Sequence, residues 1–202
     1  MHQGKNMKIL TISDVESDRY YNYYTPGKFD GIDLILSCGD LKRSYLDFCV
    51  TMSGRPLVYV LGNHDEALLK EPAGGCICAE DRITVVNGIR ILGLGGSYRY
   101  NDGQCMYTEQ EMKHRIRKLW LQLRKYGGFD ILLTHAPARG INDTDTLSHR
   151  GFECFRELMD KYHPKYFVHG HIHMNYGMNI PRVTQYGETA VINACGDYLF
   201  EY

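Results

Sequence analysis

The chain has 202 residues, 44% hydrophobic and 23% charged, with a formal net charge of −1. Those fractions exclude a disordered or fibrous protein, and the near-neutral balance lacks the basic surplus of a general nucleic-acid binder. The length predicts one domain over 1–202, large enough to bury a full core.

Residues 1–6 lack the apolar stretch of a signal peptide and are expected to be disordered, as a cloning remnant or an upstream start before Met7. The first strand is expected at Lys8–Ile12, the second at Ile32–Ser37 and the third at Leu57–Leu61. A helix is expected between the last two, near Ser44–Met52. Arg82–Val86 and Ile89–Leu94 flank Asn87-Gly88, a two-residue hairpin signal. Thr108 with Glu111 three residues on is a capping box. It opens a helix whose apolar residues Met112, Ile116, Leu119, Leu123 and Tyr126 recur at helical spacing until Gly127-Gly128. Its other face carries Lys113, Arg117, Lys118, Arg124 and Lys125, read as a solvated face in preference to a basic groove. Further strands are expected at Ile131–Leu133 and Tyr166–Val168, with a helix over Gly151–Tyr162 between them. Arg182–Tyr186 and Thr189–Asn193 form a closing hairpin around Gly187. This alternation predicts an α/β fold of layered mixed β-sheets, sandwich-like and flanked by helices. No apolar run approaches 18 residues, so no membrane span is expected. Seven cysteines are an odd number without repeated pair spacing, which favours free thiols, Cys76 and Cys78 included, and a cytoplasmic home.

The chemistry collects at strand ends. Asp14 with Glu16, Asp40, Asn63 with His64, His135, and His171 with His173 each follow a predicted strand at once or nearly so. Open α/β sheets bind ligands at the carboxyl edges of their strands. A lone Asp in such a place is usually a turn former, and a lone His is usually packed. The coincidence of carboxylate, carboxamide and imidazole on one edge instead points to divalent transition ions. His171 and His173 are two apart, so in extended chain both face one side.

Asp14, Gly39-Asp40, Gly62-Asn63-His64-Asp65, Thr134-His135 and Gly170-His171-Ile172-His173 together resemble the calcineurin-like metallophosphoesterases, in motif order from about Lys8 to Asn193. The compact spacing is similar to small members without a cap domain. The stretch from His149-Arg150-Gly151 to His173 is loosely similar to a subgroup that includes brain-expressed cyclic-nucleotide phosphodiesterases. The resemblance implies two divalent ions, manganese foremost, with iron, zinc, magnesium or nickel as alternatives. Asp14, Asp40 and His173 would hold one ion, and Asp40, Asn63, His135 and His171 the other. His64 would be a general acid or transition-state stabiliser rather than a ligand, and Asp65 would orient it. The implied activity is hydrolysis of a phosphodiester or phosphomonoester, the diester favoured, by hydroxide held between the two ions. Glu16 departs from the family's usual Asp-x-His. Either it binds metal through oxygen and hardens the first position toward Mn²⁺ or Mg²⁺, or it points away and leaves that position weak. The expected partner is a small phosphoester or nucleotide rather than nucleic acid or membrane. Arg99, His149 and Arg150 are the candidate substrate contacts. Tyr20, Tyr21, Tyr23 and Tyr24 pack a loop in preference to stacking a base. A non-catalytic binding module and a nuclease are the alternatives. The oligomeric state has no signal in the sequence.

Overall fold

Strands buried on both faces read as continuous apolar runs, and Leu57–Leu61, Ile131–Leu133 and Tyr166–Val168 have that character. A computed structural model describes residues 6–174 and 181–202; the predicted disordered start lies outside them except for Asn6. In chain order the elements are β1 (Lys8–Ser13), β2 (Leu34–Ser37), α1 (Arg43–Ser53), β3 (Leu57–Tyr59), α2 (Glu66–Lys70) and β4 (Ile77–Cys78). Then follow β5 (Arg82–Val86), β6 (Ile89–Leu94), β7 (Ser97–Tyr98), β8 (Met106–Tyr107), α3 (Glu109–Lys118) and α4 (Trp120–Tyr126). The chain closes with β9 (Ile131–Thr134), α5 (Glu153–Tyr162), β10 (Tyr166–His169), β11 (Val183–Tyr186), β12 (Thr189–Asn193) and β13 (Gly196–Glu201).

A five-stranded sheet runs in the order β13-β1-β2-β3-β4 and a six-stranded sheet in the order β11-β12-β10-β9-β6-β5. Their inner strands are parallel, with antiparallel edges at β13, β11 and β5. Period-two alternation sorts each strand's side chains between layers. Ile9, Leu34, Leu36 and Val58 of the first sheet meet Ile91, Ile131, Leu133 and Val168 of the second in a core between the sheets. Leu10, Ile12 and Ile35 point the other way, toward α1 and the Tyr20–Phe29 loop. Leu92, Leu132 and Phe167 face α3, α4 and α5. The result is helix, sheet, sheet, helix. Because both sheets end their parallel strands at the same border, residues just past those ends meet.

Turn chemistry behaves as expected. Val86 pairs with Ile89 across Asn87 and Gly88, whose φ of 51° and 83° suit a type I′ turn. The Thr108–Glu111 capping box forms. The helix it opens divides at Leu119, where a three-residue hydrogen bond to the Ile116 carbonyl tightens the turn, so two helices stand where one was expected. All seven cysteines are free thiols. No helix among the described residues is long and apolar enough to cross a membrane.

Candidate metal centre

Asp14, Asp40 and His171 follow β1, β2 and β10 within three residues and have φ of 64°, 56° and 68°. Non-glycine residues in this left-handed region cost of order 1–3 kcal/mol each and cluster at functional sites. Two glycines permit the accompanying close approach. A Cβ on Gly62 would lie 2.0 Å from Asp40 Oδ1, and one on Gly170 would lie 2.0 Å from Ser13 Oγ.

Four side chains converge on one point. His135 Nε2 lies 2.9 Å from Asn63 Oδ1, 3.0 Å from His171 Nδ1 and 3.4 Å from Asp40 Oδ2. Each is aimed by a partner behind it. His135 Nδ1 donates to the Cys38 carbonyl at 2.7 Å, and His171 Nε2 donates to the Ser148 carbonyl at 2.6 Å. A carbonyl can only accept, so the hydrogen sits on those outer nitrogens and the opposite ring nitrogens face the centre. Asn63 Nδ2 donates to the Tyr100 hydroxyl at 3.3 Å, which turns Oδ1 inward. Tyr100 and the Cys38 and Ser148 carbonyls have no sequence signal as site residues. Backbone carbonyls are invisible in a sequence, and Tyr100 is one of 16 tyrosines.

Charge at this point is strongly coupled. Burial opposes a charge on His135, yet Asp40, Asp14 and the Cys38 carbonyl push its pKa up to about 9. Burial also opposes the Asp40 carboxylate, but His135 and the His64 backbone N–H hold its pKa well below the usual range. Burial and then the His135 charge drive His171 down to about 3. The raised His135 pKa and the lowered Asp40 pKa both show that the group favours a positive charge at this point. A divalent cation bounded by Asp40, Asn63, His135 and His171 meets the same demand, and its mixed oxygen and nitrogen donors suit transition ions. The residues present fit such an ion.

The other candidate ligands are looser. The Asp14 carboxylate accepts the His171 N–H at 2.9 and 3.1 Å, and His173 Nε2 stands 3.9 Å from Asp14 Oδ1. Glu16 Oε1 is buried without a hydrogen-bond donor, 3.4 Å from Lys42 Nζ. Among the described residues, the acid and histidine ligand atoms within 4.8 Å of one another belong to Asp40, His135 and His171, with Glu16 and His173 outside that group. His64 is exposed at the border, its backbone N–H donating to Asp40 Oδ1 at 2.8 Å. Asp65 Oδ2 accepts the backbone N–H groups of Asp40 and Gly62 at 2.8 and 2.7 Å, which pins the loop that carries His64.

Of the expected substrate contacts, His149 sits beside the centre, its ring 5.3 Å from that of His171. The Arg150 guanidinium lies over the Tyr98 ring at 5.2 Å. Arg99 is instead engaged at 3.0 Å by both carboxylate oxygens of Glu111 on α3. Three of the four tyrosines pack as a loop: Tyr20 stacks on Phe29 at 5.0 Å, and Tyr21 and Tyr24 meet Phe48 edge-on, whereas Tyr23 is 71% exposed.

Two parallel-centred sheets carry this polar cluster at their common border, and comparison with known proteins gives the chain a family. The profile describing calcineurin-like phosphoesterases matches residues 7–175. The chain belongs to that family, whose members use divalent metal ions. A lariat debranching enzyme of Drosophila pseudoobscura pseudoobscura is 27% identical over 206 residues, which span 74% of this chain and 38% of that protein. The match thus takes in well under half of this relative's length. One crystal structure superposes with a TM-score of 0.66 at 13% identity, covering 98% of this chain and 95% of its own. The TT1561 protein of Thermus thermophilus superposes with a TM-score of 0.60 at 15% identity, covering 95% and 90%. At such identities these two likenesses speak for the fold.

Proposed function

We propose that the protein is a metal-dependent phosphodiesterase of small phosphoesters or nucleotides. The observation that carries this reading is the convergence of Asp40, Asn63, His135 and His171 from both sheets on one point. In this assignment those four hold one divalent ion, while Asp14, Asp40 and His173, with Glu16, hold a second. Manganese is the expected ion, because Glu16 adds a hard oxygen donor. Bound divalent ions acidify water toward neutral pH and neutralise charge on a phosphoryl group.

The chain's own residues supply the rest. The Cys38 and Ser148 carbonyls hold the outer ring hydrogens, so the inward nitrogens of His135 and His171 would be the ones facing an ion, His135 giving up its second proton as the ion binds. Asp65 fixes the loop so that His64 projects at the mouth, where its ring can protonate the departing oxygen. A cavity of about 350 Å³ lies beside Asp40 and His64, bounded also by Leu41, Lys42, Arg43 and Leu68. That volume gives the leaving group of a diester a place to sit; Asp65 and Glu71 also line it, and its two cations are paired, Lys42 with Glu16 and Arg43 with Asp47 and Glu71. His149 beside His171 flanks the opposite side as a substrate contact.

A lariat-like substrate is the second reading, favoured by the relative whose name records debranching. The test is to load stripped protein with Mn²⁺, Mg²⁺ or Zn²⁺ and assay bis-aryl and mono-aryl phosphates, cyclic nucleotides and a branched oligonucleotide. Faster turnover of the bis-aryl than the mono-aryl phosphate supports the diesterase. Preference for the branched substrate supports the second reading, and silence with every metal leaves a binding module. His64→Ala lowers turnover about 10²–10⁴-fold and leaves metal content unchanged. Loss of metal in that variant would remove His64 from the acid role.

A further inference from the structure

Helices α3, α4 and α5 cover the outer face of the six-stranded sheet and leave between them a groove of about 730 Å³. The reaction proposed above does not use it. Its apolar lining includes Ile116, Leu123, Leu158 and Tyr162, and Trp120 borders it at 57% exposure. Leu121, the next residue, is 61% exposed. A large aromatic side chain beside an apolar groove is the usual form of an interface anchor.

The charges are one-sided. Lys113, Arg117, Arg124 and Lys161 line the groove with one carboxylate, Glu157. That carboxylate is already engaged by Lys113 Nζ at 2.7 Å. Arg117, Arg124 and Lys161 are exposed and form the positive rim. The groove is also preformed. Glu109 on α3 accepts the first N–H groups of α5, from Glu153 at 3.1 Å and Cys154 at 2.8 Å, and the Lys113–Glu157 pair joins the same two helices one turn further on. A rigid site spends less of its contact energy on ordering.

We propose that this groove docks an acidic amphipathic helix of a partner protein. The partner's apolar side chains cover Trp120 and the groove floor, and its carboxylates face Arg117, Arg124 and Lys161. A nucleic-acid strand matches less well: its bases need successive aromatic platforms, whereas this floor is mainly aliphatic. The net charge of −1 gives no wider basic field to follow a phosphate backbone.

The experiment uses the full chain and a fluorescein-labelled helical peptide of about four turns, with Leu and Phe at i, i+3, i+4 and i+7 and Glu elsewhere. Saturable anisotropy at low salt is expected, weakening as salt rises. Trp120, the one tryptophan in the sequence, should shift its emission to the blue on binding. The double variant Arg117→Glu/Arg124→Glu should bind at least about tenfold more weakly, as should Trp120→Ala, with wild-type melting temperatures. A Lys-for-Glu version of the peptide should not compete. The proposal is overturned if the acidic peptide fails to bind, if the lysine peptide or oligo(dT) binds as well, or if charge reversal leaves affinity unchanged. Self-association that Trp120→Ala abolishes and the acidic peptide cannot displace would assign the groove to a second copy and also overturn it. The outcome is independent of whether the metal centre hydrolyses anything.

Discussion

At the level of single residues, Glu16 is the informative position. Its Oε1 atom is buried and lacks a donor, and Lys42 Nζ at 3.4 Å is the cation facing it. Leaving a buried carboxylate oxygen unsatisfied costs about 1–3 kcal/mol, so this atom favours a cation at its side. Lys42 supplies that charge weakly, since its side chain is 78% exposed and strongly hydrated. In the proposed assignment the Lys42 ammonium and the second divalent ion contend for one carboxylate. Lys42→Ala should therefore tighten the second metal equivalent in calorimetry and leave the first unchanged. An exposed pair contributes roughly 0.2–1 kcal/mol, so the gain should not exceed about fivefold. An unchanged isotherm would mean that Glu16 is no ligand. Glu16→His should move preference from Mn²⁺ toward Zn²⁺; if preference holds, the hard-donor argument is wrong.

Between elements, α3 is tied to the site by a buried ion pair. Arg115, 9% exposed, donates from Nε to Asp81 Oδ1 and from Nη1 to the Gly95 carbonyl, both at 2.8 Å, and bonds Glu80 through Nη2. Its guanidinium lies 4.2 Å over the Tyr107 ring. Glu80 in turn accepts the Leu61 N–H at 3.1 Å and the Gly95 N–H at 3.0 Å, two residues before Asn63 on one side. Burial raises the Glu80 pKa, with Arg115 opposing, so removing the arginine strands a desolvated carboxyl. Arg115→Leu should lose about 3–5 kcal/mol in urea denaturation and weaken metal binding through the Asn63 loop. A loss below about 1 kcal/mol would reduce the pair to an ordinary surface contact. This fastening is not legible in the sequence. Helical periodicity identifies Met112, Ile116 and Leu119 as inward, but a buried arginine is specified by partners 34 and 35 residues away. The same limit hides β4, β7 and β8, two residues each, and β13, which pairs with β1 but buries only Phe200. By contrast β1, β5, β6, β9, β10 and β12 carry their own apolar pattern or hairpin turn, and their positions follow from it.

Over the whole molecule, the proposed metal set is also a clamp. Asp14, Asp40 and Asn63 follow strands of the five-stranded sheet, and His135 and His171 follow strands of the six-stranded sheet. This convergence is legible early because it depends on topology: each residue needs only to follow a parallel strand for all to share one border. The finer arrangement, with Asp40, Asn63, His135 and His171 close and Glu16 turned to Lys42, depends on loop geometry and left-handed backbone that strand spacing does not encode. Elsewhere the sheets are joined mainly by the apolar layer between them. At the border Asp40 stands 3.4 Å from His135, His135 stands 3.0 Å from His171, and Asp14 holds the His171 backbone, a crowding of polar groups that a divalent ion would offset. A ligand that binds only the folded chain stabilises it by RT ln(1 + [L]/Kd), about 2.7 kcal/mol at a hundredfold excess over Kd. For a chain of this size that corresponds to a melting temperature roughly 5–10 °C higher. Chelation should lower the melting temperature by that amount, and Mn²⁺ should restore it reversibly. Asn63→Ala and His135→Ala should melt at one temperature with and without chelator. A metal-dependent rise that survives both substitutions would place the ion elsewhere and remove the clamp, whatever the hydrolytic assays show.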